Sequence, residues 1–147
     1  MRRFVLALAL VGAVCAFSAP AEAQTGSRIV TTQLDSAVVM MRGQAFTLTE
    51  PYRYGGLDSG GEERLGVELK AGNTYMIMGT CDQDCDDLDL FLISASGETV
   101  DSDVETDDVP MVTTTVARDA TYFLRVKMHS CSIAPCGYGI GIFAKRN

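Results

Sequence analysis

Cys81-Asp-Gln-Asp-Cys-Asp-Asp-Leu-Asp-Leu-Phe-Leu-Ile93 runs an acidic, cysteine-bracketed loop straight into an apolar segment of period two. Leu88, Leu90 and Leu92 share one face, as in a strand with one side in a core. Asp82, Asp84, Asp86, Asp87 and Asp89 crowd five carboxylates into eight residues. Charges that close repel one another unless a cation or neighbouring backbone N–H groups organise them.

Outward from this segment the same period recurs. Tyr122, Leu124, Val126 and Met128 alternate with polar or aromatic partners, and Phe46 and Leu48 alternate with threonines. Further strands are expected at Leu65–Leu69, Tyr75–Gly79, Leu88–Ile93, Met111–Val116, Tyr122–Met128 and Tyr138–Phe143, with a short one around Glu98–Val100. Lys70-Ala-Gly-Asn73 and Ser94-Ala-Ser-Gly97 supply turn chemistry between them. Tyr52–Glu63, rich in glycine and polar residues, reads as a loop in which Tyr52 and Tyr54 offer a contact patch or simply pack. In the last strand Gly137, Gly139 and Gly141 occupy one face, which implies close approach of another segment or a bend.

Before the strands the period is helical. Ile29, Val30, Leu34, Ala37, Val38 and Met41 predict a helix ending near Arg42, with Gly43 at the C-cap position and Gln24–Arg28 as a polar lead. Half-buried strands in this number need a second sheet to cover them. The expected fold is mainly β, an antiparallel, jelly-roll-like β-sandwich with one N-terminal helix.

Residues 1–23 read as a secretory signal peptide. Arg2 and Arg3 precede an apolar run from Phe4 to Phe17, and Ala21-Glu22-Ala23 is a small-x-small cleavage site. The run is short for a membrane span, which takes about 20 residues, and Val14 before Cys15 argues against a lipoprotein. Residues 24–43 then form lead and helix, and residues 44–147 one sandwich domain. Cleavage removes two arginines and one glutamate, taking the formal net charge from −7 to −8. Such acidity disfavours nucleic acid and anionic membrane surfaces as partners, and no later stretch is apolar enough to cross a bilayer.

Cys15 leaves with the signal, and Cys81, Cys85, Cys131 and Cys136 remain. An even count in an exported chain reads as two disulfides. Local pairs, 81–85 and 131–136, are favoured over crossed pairs. Zinc is disfavoured because neither spacing is the common C-x2-C.

Five pieces in order resemble the bacterial pre-peptidase C-terminal domain. They are Val67-Glu-Leu-Lys-Ala-Gly-Asn-Thr-Tyr75, Asp87-Leu-Asp-Leu-Phe-Leu92, Ala95-Ser-Gly97, Ala120-Thr-Tyr-Phe-Leu-Arg-Val126 and Tyr138-Gly-Ile-Gly-Ile142. The resemblance covers Leu65 to Phe143, about two thirds of the mature chain. The departures are the helix and loop before Leu65, the four cysteines, and Ala120 where the family has glycine. Residues 1–64 are not expected to hold a peptidase ahead of the module. The resemblance implies a β-sandwich with a binding or accessory role and carries no catalytic residue across.

From Ala71 to Ala117 there is no Lys or Arg, while Asp and Glu recur throughout. Calcium takes six to eight oxygens, so Asp87 and Asp89 with Asp82, Asp84 or Asp86 are the first candidate ligands, and Asp101, Asp103 and Asp107 the second. The spacing is not that of an EF-hand. The alternative is that these carboxylates are solvated or cap turns by accepting from nearby N–H groups. His129, the single histidine, reads as a surface residue beside a disulfide. The expectation is therefore an exported, non-enzymatic module, stabilised by disulfides and calcium, that binds a protein or envelope component. Two alternatives stand beside it, a small hydrolase using paired carboxylates and a partner or inhibitor of a separately encoded protease.

Overall fold

The computed structural model describes residues 21–147, so the expected signal peptide falls almost wholly outside the described residues. The chain forms α1 (Ala21–Gly43), β1 (Thr47–Leu48), β2 (Arg53–Leu57), β3 (Glu62–Leu69), β4 (Asn73–Cys81), β5 (Cys85–Ile93), β6 (Thr99–Asp103), β7 (Met111–Val116), β8 (Ala120–Cys131) and β9 (Cys136–Arg146).

The strands make two antiparallel sheets. One has the order β1-β9-β4-β7, with β2 also pairing to β9; the other has the order β3-β8-β5-β6. Strands from β2 to β5 alternate between the sheets, β5 and β6 form a hairpin, and β6 to β9 alternate again, which is jelly-roll connectivity. The apolar period explains the layering. Leu88, Leu90, Leu92, Leu124, Val126 and Met128 face Ile77, Tyr138, Ile140 and Ile142 across the sandwich. Packing these faces together removes from water the apolar surface that neither sheet could bury alone.

The first sheet is covered on its other face by α1. Val30, Leu34, Ala37 and Met41 are buried at spacings of four, three and four residues, which is one helical stripe. Ala37 and Met41 pack with Phe46, Met78 and Phe143. The glycine face of β9 explains how close the helix comes: a Cβ at Gly139 would lie 2.5 Å from Val30 Cγ1 and 2.9 Å from Leu34 Cδ1. Close approach of the helix, one of the two readings left open by the sequence, accounts for Gly139, while at Gly141 a Cβ would meet the Phe143 ring of the same strand at 2.9 Å.

The structure corrects four details. Gln24–Arg28 is helical, not a polar lead. The helix ends at Gly43, but the left-handed residue is Ala45, with φ of 65°, and Phe46 N–H donates to Met41 O at 3.0 Å. Tyr52–Glu63 is not a loop throughout, because Arg53–Leu57 pairs with β9 and Glu62 opens β3. Gly55, which disguises this strand, is needed because a Cβ there would lie 2.5 Å from the Tyr138 ring. Finally, the Glu98–Val100 strand runs instead from Thr99 to Asp103.

The tyrosines of this segment pack as latches. Tyr52 Oη donates to Asp35 Oδ1 at 2.9 Å, and Tyr54 Oη hydrogen-bonds Thr31 Oγ1 at 3.1 Å, so β2 is tied to the helix. Burial, then the Asp35 hydrogen bond, push the Tyr52 phenol up to about 12.

Candidate functional site

Two crossovers between the sheets meet at one end of the sandwich. The β4–β5 loop is closed by the Cys81–Cys85 disulfide, and the β8–β9 loop by Cys131–Cys136. Cys85 and Cys131 are register partners, so the two staples adjoin. Asp82 locks the loops together: its carboxylate accepts from Gly137 N–H at 2.6 Å and from Asp84 N–H at 3.3 Å. A Cβ at Gly137 would stand 3.1 Å from Asp82 Oδ2, a tight contact that would press on this bond. Ser132 adds a second tie, its N–H and Oγ both donating to Asp84 O, at 2.7 and 2.9 Å.

The eight aspartates singled out by the sequence are not gathered at one point. Among the described residues no group of three or more His, Cys, Asp or Glu side chains converges as a metal cage. Asp101 and Asp103 lie on β6 and reach the neighbouring edge of the other sheet. Asp101 Oδ2 accepts from Thr113 N–H at 2.7 Å and Asp103 Oδ2 from Met111 N–H at 2.8 Å. In the pairing with β4 these two N–H groups point outward, so the carboxylates satisfy the free edge of β7. Asp107 caps its own turn, accepting from Val109 N–H at 2.9 Å. Asp84 accepts from Gln83 Nε2 at 3.2 Å, and Asp86 is exposed.

Asp87 and Asp89 differ from the rest. Both sit on β5 and are only 7% and 5% exposed. The pairing register with β8 shifts on either side of Asp87, so the ladder is irregular there. Asp87 Oδ1 is buried and has no hydrogen-bond partner. Asp89 lies opposite Lys127, whose Nζ stands 4.0 Å from Asp89 Oδ2, and His129 Nδ1 stands 3.8 Å from the same oxygen. Burial, and next the charge of Asp87, push the Asp89 carboxyl above its ordinary value; Lys127 and His129 oppose the shift. Two buried carboxylates thus stand two residues apart on β5 with incomplete compensation. A buried carboxylate oxygen without a donor is costly.

Of the two, Asp87 keeps an oxygen without a donor, whereas Asp89 already faces Lys127 and His129. Lys127 and His129 were not linked to this site by the sequence reading. The signal was present: both fall on the face of β8 opposite Leu124, Val126 and Met128, and Asp89 falls on the matching face of β5. Beside them Arg125 stacks on Phe91 with Cζ 3.9 Å from the ring centre, and its buried Nε has no partner.

No helix among the described residues is long and apolar enough to cross a membrane. No protein-family model matches the chain, and no curated protein matches it.

Proposed function

We propose that this chain is an exported, non-enzymatic binding module of the pre-peptidase C-terminal domain type, braced by two disulfides and by calcium held at Asp87 and Asp89. Its partner is a protein or another component of the cell envelope. The observation that carries the calcium reading is the unpartnered oxygen of buried Asp87 beside a second buried carboxylate. A hard divalent cation relieves both the repulsion and the missing hydrogen bond, and calcium tolerates a shell built partly from carbonyls and water. The jelly-roll sandwich, the local disulfides and the leader-like N-terminus support export of a binding module.

The test is a calorimetric calcium titration of the purified, chelator-treated protein, with melts in calcium and in EDTA. Saturable one-to-one binding and a raised melting temperature are expected; at 100 times Kd the gain is about 2.7 kcal/mol. Asp87→Asn abolishes the gain while leaving the fold intact. Absence of both heat and shift overturns the calcium reading.

A second reading is favoured by the two buried carboxyls on β5, Asp87 and Asp89, since paired carboxyls in unlike surroundings, one pushed above its ordinary value by burial, are the arrangement of an acid–base pair. It predicts hydrolysis of a glycan or peptide that Asp89→Asn abolishes. Retention of such activity in Asp89→Asn rejects it.

A further inference from the structure

A groove of about 570 Å³ runs along the flank of α1, bordering its buried stripe at Ala37, and opens toward Met78 of β4 and Val109 of the β6–β7 loop. That volume lies within the roughly 300–1,000 Å³ of small-molecule sites. The helix contributes the stripe Arg28, Thr32, Ser36 and Met40, one residue per turn, and Met78 and Val109 form the facing wall.

The wall is less polar than its composition suggests. Thr32 Oγ1 donates to Arg28 O and Ser36 Oγ to Thr32 O, each at 2.8 Å, so both hydroxyl hydrogens turn back onto the helix. Gln33 has its carbonyl oxygen engaged by Thr80 Oγ1. What is left is an apolar channel with a single cation at one end. Arg28 is exposed and pairs with no described carboxylate, while Met40, at the other end, is 51% exposed on a soluble face where a methionine gains nothing from packing.

We propose that this groove binds the single alkyl chain of an anionic amphiphile, a fatty acid, with its carboxylate on Arg28 and its tail lying along α1 toward Met40. The proposal deepens the binding-module reading and rests on it only for the need of a ligand. Length fits: from residue 28 to residue 40 the helix advances about 18 Å, the reach of roughly 14 extended methylene carbons. The charge fits as well, because a guanidinium offers a carboxylate two parallel N–H donors. Methionine side chains adapt to a flexible chain better than branched ones do. A second copy of this chain is a poorer occupant, since two exported molecules each carrying about eight net negative charges repel on approach.

The experiment is calorimetric titration of the purified protein with myristate below its micellar concentration, beside tetradecyl maltoside as a neutral-headed comparator. Myristate is expected to bind one site, tighter than the neutral amphiphile by roughly tenfold or more, the worth of a charge-assisted hydrogen bond. Arg28→Gln removes that preference. Met40→Asp weakens both ligands by a similar factor, with the melting temperature unchanged, since both positions are exposed. Three results overturn the proposal: no saturable binding of myristate, equal affinity for both amphiphiles in the unaltered protein, or a dimer in sedimentation that myristate dissociates. Calcium-dependent melting without myristate binding rejects the groove and spares the cation site; the converse rejects calcium and spares the groove.

Discussion

At Gly139 the difference between hydrogen and methyl decides whether helix and sheet can meet. A Cβ there would stand 2.5 Å from Val30 Cγ1, and Val30 is itself buried, so the methyl has nowhere to turn. Overpacking a filled site costs typically 1–3 kcal/mol, and Gly139→Ala is expected at the upper end, about 3 kcal/mol. Gly66→Ala, on a strand of the other sheet with nothing within 4 Å, is the comparison and should shift the denaturation midpoint little. Val30→Ala in the Gly139→Ala background should restore part of the loss, because it vacates the space the new methyl needs. Urea unfolding of the unaltered protein, Gly139→Ala, Val30→Ala and the double variant checks the cycle, and strict additivity would refute the contact.

At the scale of elements, the informative pairing is β6 with β7, which belong to different sheets and share no ladder. Two aspartates do the work of backbone carbonyls, accepting from Met111 and Thr113 N–H groups that β4 leaves free. At the opposite edge Arg53 Nη1 donates to Gly66 O at 2.7 Å, so β3 is tied to the neighbouring β2 in the same way. Hydrogen bonds to charged groups are worth about 1.5–3 kcal/mol, and an unpaired edge invites association. Asp101→Ala with Asp103→Ala should therefore cost about 3 kcal/mol and make light scattering rise with protein concentration. The loss should be equal in calcium and in EDTA; a loss that appears only in calcium would make these residues ligands and not clamps.

This is also where sequence and structure part. Strands with a leucine or aromatic every second residue were legible, because alternation is a local property of a half-buried strand, although β3, β4, β5, β8 and β9 extend two or more residues beyond their apolar runs into polar or cysteine-bearing ends. Strand β2 was not legible, because Gly55 answers to Tyr138, more than eighty residues away. Nor could the sequence sort its aspartates. Asp101 and Asp87 look alike in a run of acids, and only the partner brought by the fold separates a carboxylate that satisfies an edge from one whose oxygen has no donor. The local disulfide pairing was legible from spacing and compartment.

Over the whole molecule, both disulfides fall on connections that carry the chain from one sheet to the other, and they do so at the same end. Each closes a loop of only four or five residues, for which the chain-entropy account gives about 2 kcal/mol. Independent staples would then sum to about 4 kcal/mol. They are not independent here: Cys85 opposes Cys131, Asp82 bonds Gly137, and Ser132 bonds Asp84, so each loop holds its neighbour in place. With one staple gone the other loop still positions its partner, whereas losing both frees the two crossovers together and lets that end of the sandwich open. Replacing Cys81 and Cys85 by serine, or Cys131 and Cys136, should each cost about 2 kcal/mol, and all four together more than the sum, by roughly 1 kcal/mol. Denaturant unfolding of the four proteins measures that coupling. Hydrogen exchange should show the excess as added loss of protection at Asp82, Gly137 and Ser132, while strands at the far end keep theirs; strict additivity with unchanged exchange at those amides would mean the loops are merely neighbours.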